Sequence, residues 1–249
     1  MAWELYDALI EGIPEGITVI DYCAGVNWCY VEAECGMGIS YTVTGGMRRE
    51  SFRDDPCSLD LRELASLVKS WNFKEASLGT AALNAWYSRL DRLMEIGAKI
   101  DMGESVAGRD QNPFSFLREG FEGKKLAVIG HFPNVAAVAK VAQVTVLERN
   151  CASTLDVPDS ACEFILPDQD YVFMTGTTLT NKTMPRLLEL SRNAEVILTG
   201  PTVTCCPELL TLGISRLSGR VITESDAMLE AIVEKRTSVN RFSAAYQVP

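Results

Sequence analysis

The 249-residue sequence has only one histidine, His131, and none of its eight cysteines forms a C-x-x-C pair. A structural zinc site needs four clustered Cys or His ligands, so we expect none of the zinc-finger type. No apolar stretch reaches the roughly 18 residues of a membrane helix. The acidic amino terminus also lacks the basic start of a signal peptide. We therefore expect a cytoplasmic protein with reduced cysteines and no membrane partner.

Sequence motifs of several enzyme classes are absent as well. Only Gly130 stands where a dinucleotide site would have G-x-G-x-x-G, which disfavours NAD and FAD. The absence of G-x-x-x-x-G-K-[ST] disfavours ATP hydrolysis of the P-loop type. No G-x-S-x-G segment is present, and this disfavours an α/β-hydrolase.

Basic residues are in the minority: 23 Lys and Arg face 33 Asp and Glu, which gives a net charge of −10. Such a charge repels the phosphate backbone of nucleic acids, so no nucleic-acid partner is expected. The length and the 47% hydrophobic content suit a globular chain of two modest domains.

Short apolar runs alternate with helical patterns in the second half of the chain. This alternation predicts a Rossmann-like α/β domain with a buried parallel sheet. The runs are residues 125–130, 143–148, 170–176, 194–200 and 219–223.

In the first half, strands precede helices, which predicts an α+β domain. The strands are residues 17–23, 28–34 and 37–43, and the helices are residues 3–10, 59–70 and 75–96. The polar segment 103–113 separates the two patterns. We place the domains at residues 1–108 and 109–249.

Ligands of open parallel sheets bind at the carboxyl ends of the strands, so the loops there hold the candidate residues. His131 is the catalytic candidate whose ordinary pKa suits proton transfer at neutral pH. Glu148 ends the next strand, where Rossmann sites place an acid on ribose hydroxyls. Lys182 is the cation of the polar loop 175–183.

Candidate ligand-binding residues come from four such loops and from the first domain, which could close over them. They are Gly38, Asn84, Gly130, Phe132, Asn134, Thr175, Gly176, Thr177, Thr178, Asn181, Gly200, Pro201 and Thr202. Helix capping is the alternative role for Asn181, a tight turn for Gly130, and a buried structural role for Asn84.

Cys205 and Cys206 are the candidate metal ligands. Pro207 at a first helical position would leave Cys206 at the cap, where the helix dipole lowers a thiol pKa. Adjacent thiols suit a soft metal, whereas buried, inert cysteines are the alternative. The cofactor is therefore unknown, with a heavy or transition metal left open.

Several stretches resemble one family across almost the whole chain. They are SLGTAALNA (77–85), GHFP (130–133), TGTTLTNKT (175–183), Gly200-Pro201 with Pro207, and LSG (217–219). They resemble the putative heavy-metal chelation family of bacteria and archaea. The resemblance implies a domain similar to the N-terminal domain of enolases, packed on a Rossmann-like domain with a cleft between them. It also implies a link to metal-related metabolism.

Three functional hypotheses follow. The first is an enzyme acting by condensation or hydrolysis on a polar heterocycle or metal-chelating metabolite, such as a pterin, a flavin precursor or a siderophore-like compound. Such an enzyme would be a hydrolase, a lyase or a transferase that binds its small-molecule substrate in the cleft. The second is a non-catalytic binding or delivery protein for a heavy metal or a metal chelate. The third is an S-adenosylmethionine-dependent methyltransferase. A homo-oligomer is left open.

Overall fold

Two β-sheets organise the chain. The computed structural model describes residues 3–45, 48–101, 113–133, 135–233 and 243–248. Within them, a three-stranded antiparallel sheet comes from the first half, and an eight-stranded, mostly parallel sheet comes mainly from the second. The mixed architecture confirms the predicted α/β class. No helix in these ranges combines the length and apolarity needed to span a bilayer.

The first half is a β-meander covered by helices. Its elements are α1 (Glu4–Glu11), β1 (Val19–Ala24), β2 (Trp28–Ala33), β3 (Gly36–Tyr41), α2 (Leu61–Ala65), α3 (Phe73–Tyr87), α4 (Leu90–Glu95) and β4 (Lys99–Asp101). Asp60 caps α2 in a reciprocal capping box with Glu63. The predicted helix 75–96 is divided at Ser88, which leaves the helical conformation although no glycine or proline marks the break.

The long helix α3 is buried on almost every side. Only Lys74 and Trp86 among its 15 residues are not buried. Gly38 of β3 lies directly against α3: a Cβ placed there would stand 2.1 Å from Ala85 N and 2.2 Å from Ala81 O. The absence of a side chain at Gly38 permits this close packing of strand and helix, and contact of Gly38 with a ligand stays a prediction.

The second half supplies most of the larger sheet. Its strands are β5 (Lys125–Ile129), β6 (Gln143–Glu148), β7 (Asp156–Pro158), β8 (Tyr171–Thr175), β9 (Glu195–Thr199), β10 (Arg216–Ile222) and β11 (Ser243–Val248). Its helices are α5 (Pro113–Phe116), α6 (Val135–Val138), α7 (Cys162–Ile165), α8 (Thr177–Thr180), α9 (Met184–Leu190), α10 (Glu208–Thr211) and α11 (Ser225–Val233).

The strand order of this sheet is β4-β11-β10-β9-β8-β5-β6-β7. From β7 to β10 all pairs are parallel, whereas β11 and β4 are antiparallel additions. The chain runs outward from β5 to β7 and then returns to β8 on the other side of β5. The order therefore reverses beside β5, and such a switch point opens a crevice at the carboxyl ends of the strands.

Three strands of the large sheet, β4, β7 and β11, fall outside the predicted runs. Strand β4 belongs by sequence to the predicted first domain, yet Ile100 pairs with Tyr246 of β11. The predicted boundary between residues 108 and 109 lies outside the described residues. The division into two domains stays a prediction.

The two halves share one apolar core. It combines Leu83 of α3 with Leu179, Met184 and Val203 of the second half, all fully or almost fully buried. Helix α11 adds a second contact, because its apolar side chains pack against β2 and β3. The halves are thus joined by packed hydrophobic surface.

We expect Gly38→Ala to lower the free energy of unfolding by about 1–3 kcal/mol, because the added methyl group meets helix backbone that cannot move aside. Urea denaturation followed by circular dichroism measures the change. Gly120→Ala is the matched control, since its Cβ would come no closer than 3.4 Å to Tyr171 Oη. Equal stability of the two variants would contradict the packing role of Gly38.

Candidate functional site

A cavity of about 570 Å³ lies at the carboxyl ends of β5, β6 and β8. The ends of these strands supply its floor, through Ile129, Leu147 and Thr175. Tyr41, at the end of β3, and the residues that follow it bring the first half to the same cavity. Its polar and charged lining residues are Tyr41, Thr44, Glu148, Arg149, Asn150, Asp159, Thr175, Thr177, Thr178, Asn181, Lys182, Thr183 and Arg186.

Seven of the residues predicted from the sequence line this cavity together: Gly130, Glu148, Thr175, Thr177, Thr178, Asn181 and Lys182. Their contact with a ligand stays a prediction. His131 and Phe132 follow Gly130 but are not part of the lining. Asn134 lies outside the described residues. The remaining candidates, also absent from the lining, are Gly38, Asn84, Gly176, Gly200, Pro201 and Thr202.

The loop after β9 packs against the rest of the protein. A Cβ at Gly176 would stand 2.6 Å from the backbone of Thr202 and Val203, so this glycine permits two loops to touch. The Thr202 hydroxyl accepts a hydrogen bond of 2.9 Å from the Tyr41 amide. Three of the four predicted loops therefore meet at the cavity, and the fourth joins the two halves.

Asn84 is the centre of a buried polar network. Its amide nitrogen donates to Ile39 O at 2.8 Å and to Thr202 O at 3.3 Å. Its side-chain oxygen accepts a 2.7 Å hydrogen bond from the Thr204 hydroxyl. These hydrogen bonds support the buried structural role that was the alternative for Asn84.

His131 stands between two carboxylates beside the cavity. Its Nε2 lies 3.0 Å from Asp156 Oδ2, and its Nδ1 lies 3.8 Å from Glu148 Oε1. The His131 side chain is 48% exposed, whereas that of Asp156 is fully buried. A fixed carboxylate on one imidazole nitrogen orients the ring and selects its tautomer, as in hydrolytic triads.

Asp156 is held firmly in place. The backbone amide of Ala152, the hydroxyl and amide of Ser153, and the His131 ring all donate to it and hold its pKa well below the usual range. The carboxylate thus stays ionised at neutral pH. Sequence reasoning missed Asp156 because the three-residue strand β7 gives no hydrophobic pattern.

Lys182 reaches from the cavity lining into the first half. Its ammonium donates to Thr180 O at 2.8 Å and to Ser70 O, and it lies 5.5 Å from the ring centre of Phe73. Burial disfavours the charged form and lowers the pKa of Lys182 to about 7.

Arg149 and Arg186 are cations of the lining that the sequence reasoning did not select. Arg149 Nε donates to Asp159 at 3.0 Å, and Arg186 binds Glu163 and Glu189 at 2.6 and 2.8 Å. Arg149 directly follows Glu148 at the end of β6, so the strand-end rule could have found it. Arg186 sits within α9, where no sequence signal distinguishes it from an ordinary surface residue.

The thiols of Cys205 and Cys206 are buried and lie outside the cavity lining. Pro207, not Cys206, is the N-cap of α10, and the Cys206 thiol donates to Glu208 Oε2 at 2.6 Å. Burial raises the pKa of each thiol to about 12. The expectation of a lowered thiol pKa is wrong, because removal from water outweighs any helix dipole.

The sequence and fold are similar to those of uncharacterised proteins. Family models with the description putative heavy-metal chelation match residues 6–87 and residues 112–246. The chain belongs to the putative heavy-metal chelation family. The match confirms the resemblance found in the sequence.

Relatives come from both archaea and bacteria. An uncharacterised protein of Methanocaldococcus jannaschii is 31% identical over 233 residues, which are 89% of this chain and 85% of that protein. A crystal structure of a protein of unknown function from Desulfitobacterium hafniense is 32% identical, with a TM-score of 0.88 over 99% of this chain and 98% of that one. One from Pyrococcus horikoshii, 24% identical with a TM-score of 0.81 over 100% and 99% of the two chains, shows the same fold.

We expect Asn84→Ala to lower the free energy of unfolding by about 1–3 kcal/mol, because its buried partners lose their hydrogen bonds. Asn150→Ala, at an exposed position of the cavity lining, should change it by less than about 0.5 kcal/mol. Chemical denaturation of both variants provides the comparison. An unchanged free energy of unfolding in Asn84→Ala would contradict the structural role of Asn84.

Alkylation should distinguish the buried thiols from exposed ones. We expect iodoacetamide at pH 8 to modify the exposed Cys151 at least about 100-fold faster than Cys205 or Cys206 in the native protein, because thiolate and access are both required. Peptide mass spectrometry measures each site, and urea-unfolded protein is the control in which all three react. Rapid native labelling of Cys206 would contradict its burial and raised pKa.

Proposed function

We propose that this protein is an enzyme that binds a small polar metabolite with an anionic group in the cavity and acts on it by condensation or hydrolysis. The observation that supports the proposal is that the cavity lining contains both acidic and basic side chains. Glu148 and Asp159 face the same space as Arg149, Lys182 and Arg186, with hydroxyl and amide groups between them. A cavity so lined suits a ligand that presents both hydrogen-bond donors and an anionic portion.

The size of the cavity supports the same ligand class. Small-molecule sites measure roughly 300–1,000 Å³, and this cavity of about 570 Å³ falls within that range. Polar heterocycles of the pterin, flavin-precursor and siderophore-fragment kinds have suitable dimensions. The apolar floor formed by Ile129 and Leu147, together with Tyr41, gives such a ring a surface to lie on.

The geometry refines the acid–base roles. Glu148 lines the cavity, whereas His131 contacts Glu148 from outside the lining. We therefore assign Glu148 as the group that touches the substrate and exchanges its proton. His131, oriented by Asp156, is a positioning residue whose Nδ1 faces Glu148 Oε1 at 3.8 Å.

A second candidate is a binding protein for a metal chelate, which the family description favours. Direct chelation by the protein fits poorly. Among the residues that the structure describes, no group of three or more His, Cys, Asp or Glu side chains is placed to hold an ion. The Cys205–Cys206 thiols are protonated at neutral pH. A metal would therefore reach the cavity already held by a small-molecule chelator.

We also propose a finer assignment of the fold of each half. The parallel order β7-β6-β5-β8-β9-β10 supports a Rossmann-like second domain. The meander β1–β3 followed by α2 and α3 supports similarity of the first domain to the N-terminal domain of enolases.

Native mass spectrometry of the freshly purified protein should detect a retained small molecule, which isothermal titration calorimetry then tests. We expect Glu148→Gln to weaken its binding about 10- to 100-fold, because a charge-assisted hydrogen bond is lost. Glu95→Gln, at an exposed position outside the cavity, should bind normally. Undiminished binding by Glu148→Gln would place the ligand elsewhere.

His131→Asn separates the two candidates. An enzyme should lose turnover of the bound compound while ligand affinity stays within about threefold, since His131 lies outside the lining. Persistent release of the compound in unchanged chemical form from the wild type would instead favour the binding protein.

A further inference from the structure

Lys182 differs from the arginines of the cavity lining in the partners of its charged group. Arg149 and Arg186 are each paired with carboxylates. Within the described ranges, no carboxylate oxygen lies within 4 Å of Lys182 Nζ, which contacts two backbone carbonyls and an aromatic ring. In the described part of the chain, the amine is thus partly buried and bonded only to uncharged groups, which leaves its charge without a neutralising partner.

The backbone at Lys182 is also unusual. Its φ of 67° lies in the left-handed region, and it is the only non-glycine residue of the described chain with positive φ. The turn follows α8 directly and returns the side chain to the seam between the halves. Lys182 follows Asn181, the C-cap of α8, and its amide donates to Leu179 O at 3.3 Å, at a position where a left-handed glycine or asparagine commonly ends a helix.

Hydrogen bonds link the Lys182 amine through Ser70 to Glu75. Ser70 of the first half, which accepts from the amine through its carbonyl, also donates through its hydroxyl to Glu75. The Glu75 carboxylate in turn accepts from the amides of Ser51 and Phe52. The nearest acid in this chain of contacts is therefore already bound to backbone and serine donors.

We propose that Lys182 is a nucleophilic amine that forms an imine with an aldehyde or ketone group of the ligand. The inference rests on the proposed function, because it needs the ligand in the cavity that Lys182 lines. It narrows the substrate class to carbonyl compounds that also carry an anionic group for the neighbouring arginines.

The chemistry balances with one proton from solvent as the only other reactant. The free electron pair of Nζ attacks the carbonyl carbon, and one proton passes from the nitrogen to the oxygen to give a neutral carbinolamine. A second proton on that hydroxyl lets it leave as water, and the protonated imine that remains can accept electrons from an adjacent carbon. Glu148, which lines the same cavity, is the acid–base group available for the two proton transfers.

The ionisation of Lys182 supports this role. With a pKa of about 7, roughly half of the amine is unprotonated at neutral pH. An ordinary exposed lysine, with a pKa of about 10.4, is almost entirely protonated there. Desolvation of the amine is a recognised means of activating lysine nucleophiles.

Reductive trapping in the wild-type protein tests the proposal without a variant. The protein is treated with glyoxylate and sodium cyanoborohydride, and carboxymethylation of each lysine is measured by peptide mass spectrometry. We expect Lys182 to react at least about tenfold faster at pH 7 than the exposed Lys74 and Lys140. The two exposed lysines are internal controls in the same digest.

The pH dependence of labelling tests the lowered pKa of Lys182, on which the nucleophile depends. Between pH 7 and 8 the free amine of Lys182 rises less than about twofold, whereas that of an ordinary lysine rises about tenfold. Labelling of Lys182 should therefore rise less than about twofold between pH 7 and pH 8. A ratio of Lys182 to Lys74 labelling near one at pH 7 would overturn the proposal.

The inference can fail independently of the proposed function. If calorimetry shows ligand binding to the cavity while Lys182 stays unlabelled, only the imine is wrong. If the retained molecule binds outside the cavity, the proposed function fails as well. Lys182→Arg keeps a cation but cannot form an imine, so it should bind the ligand within about tenfold of wild type and lose turnover.

Discussion

The burial of α3 between β3 and the second half is the constraint on which the arrangement depends. Backbone approaches at Gly38 and Gly79 bring the helix close to its neighbours. Polar groups trapped by this packing must find partners inside the protein. Asn84 bonds to the loop after β9, and Thr80 contacts Thr180 at 3.0 Å. One helix thereby fixes how the two halves meet.

This contact also determines the shape of the cavity. The loop after β9 is used to bind Asn84 and the end of β3, so three strand ends remain to form the floor. Tyr41 reaches the cavity because β3 is held against this loop. Lys182 reaches the first half by the same seam. Charged residues of both signs thus line a cavity whose walls belong to both halves.

The rule that ligands bind at the carboxyl ends of parallel strands accounts for the candidates that line the cavity. It selected Glu148, Lys182 and most of the loop after β8, because apolar strands are readable and their ends follow directly. It missed Asp156, whose strand is three residues long, and Arg186, which lies within a helix. It misjudged the pKa of Cys206, because burial cannot be read from a cap position.

Local patterns in the sequence determine the α/β class, the central parallel strands, the acidic charge and the family. Each depends on residue type and short-range spacing. The tertiary structure alone decided that β11 and β4 extend the sheet, that Asp156 orients His131, and that Gly38 and Asn84 serve packing. These features arise from contacts between residues distant in sequence. Burial and partner geometry, which no local pattern encodes, set their energies.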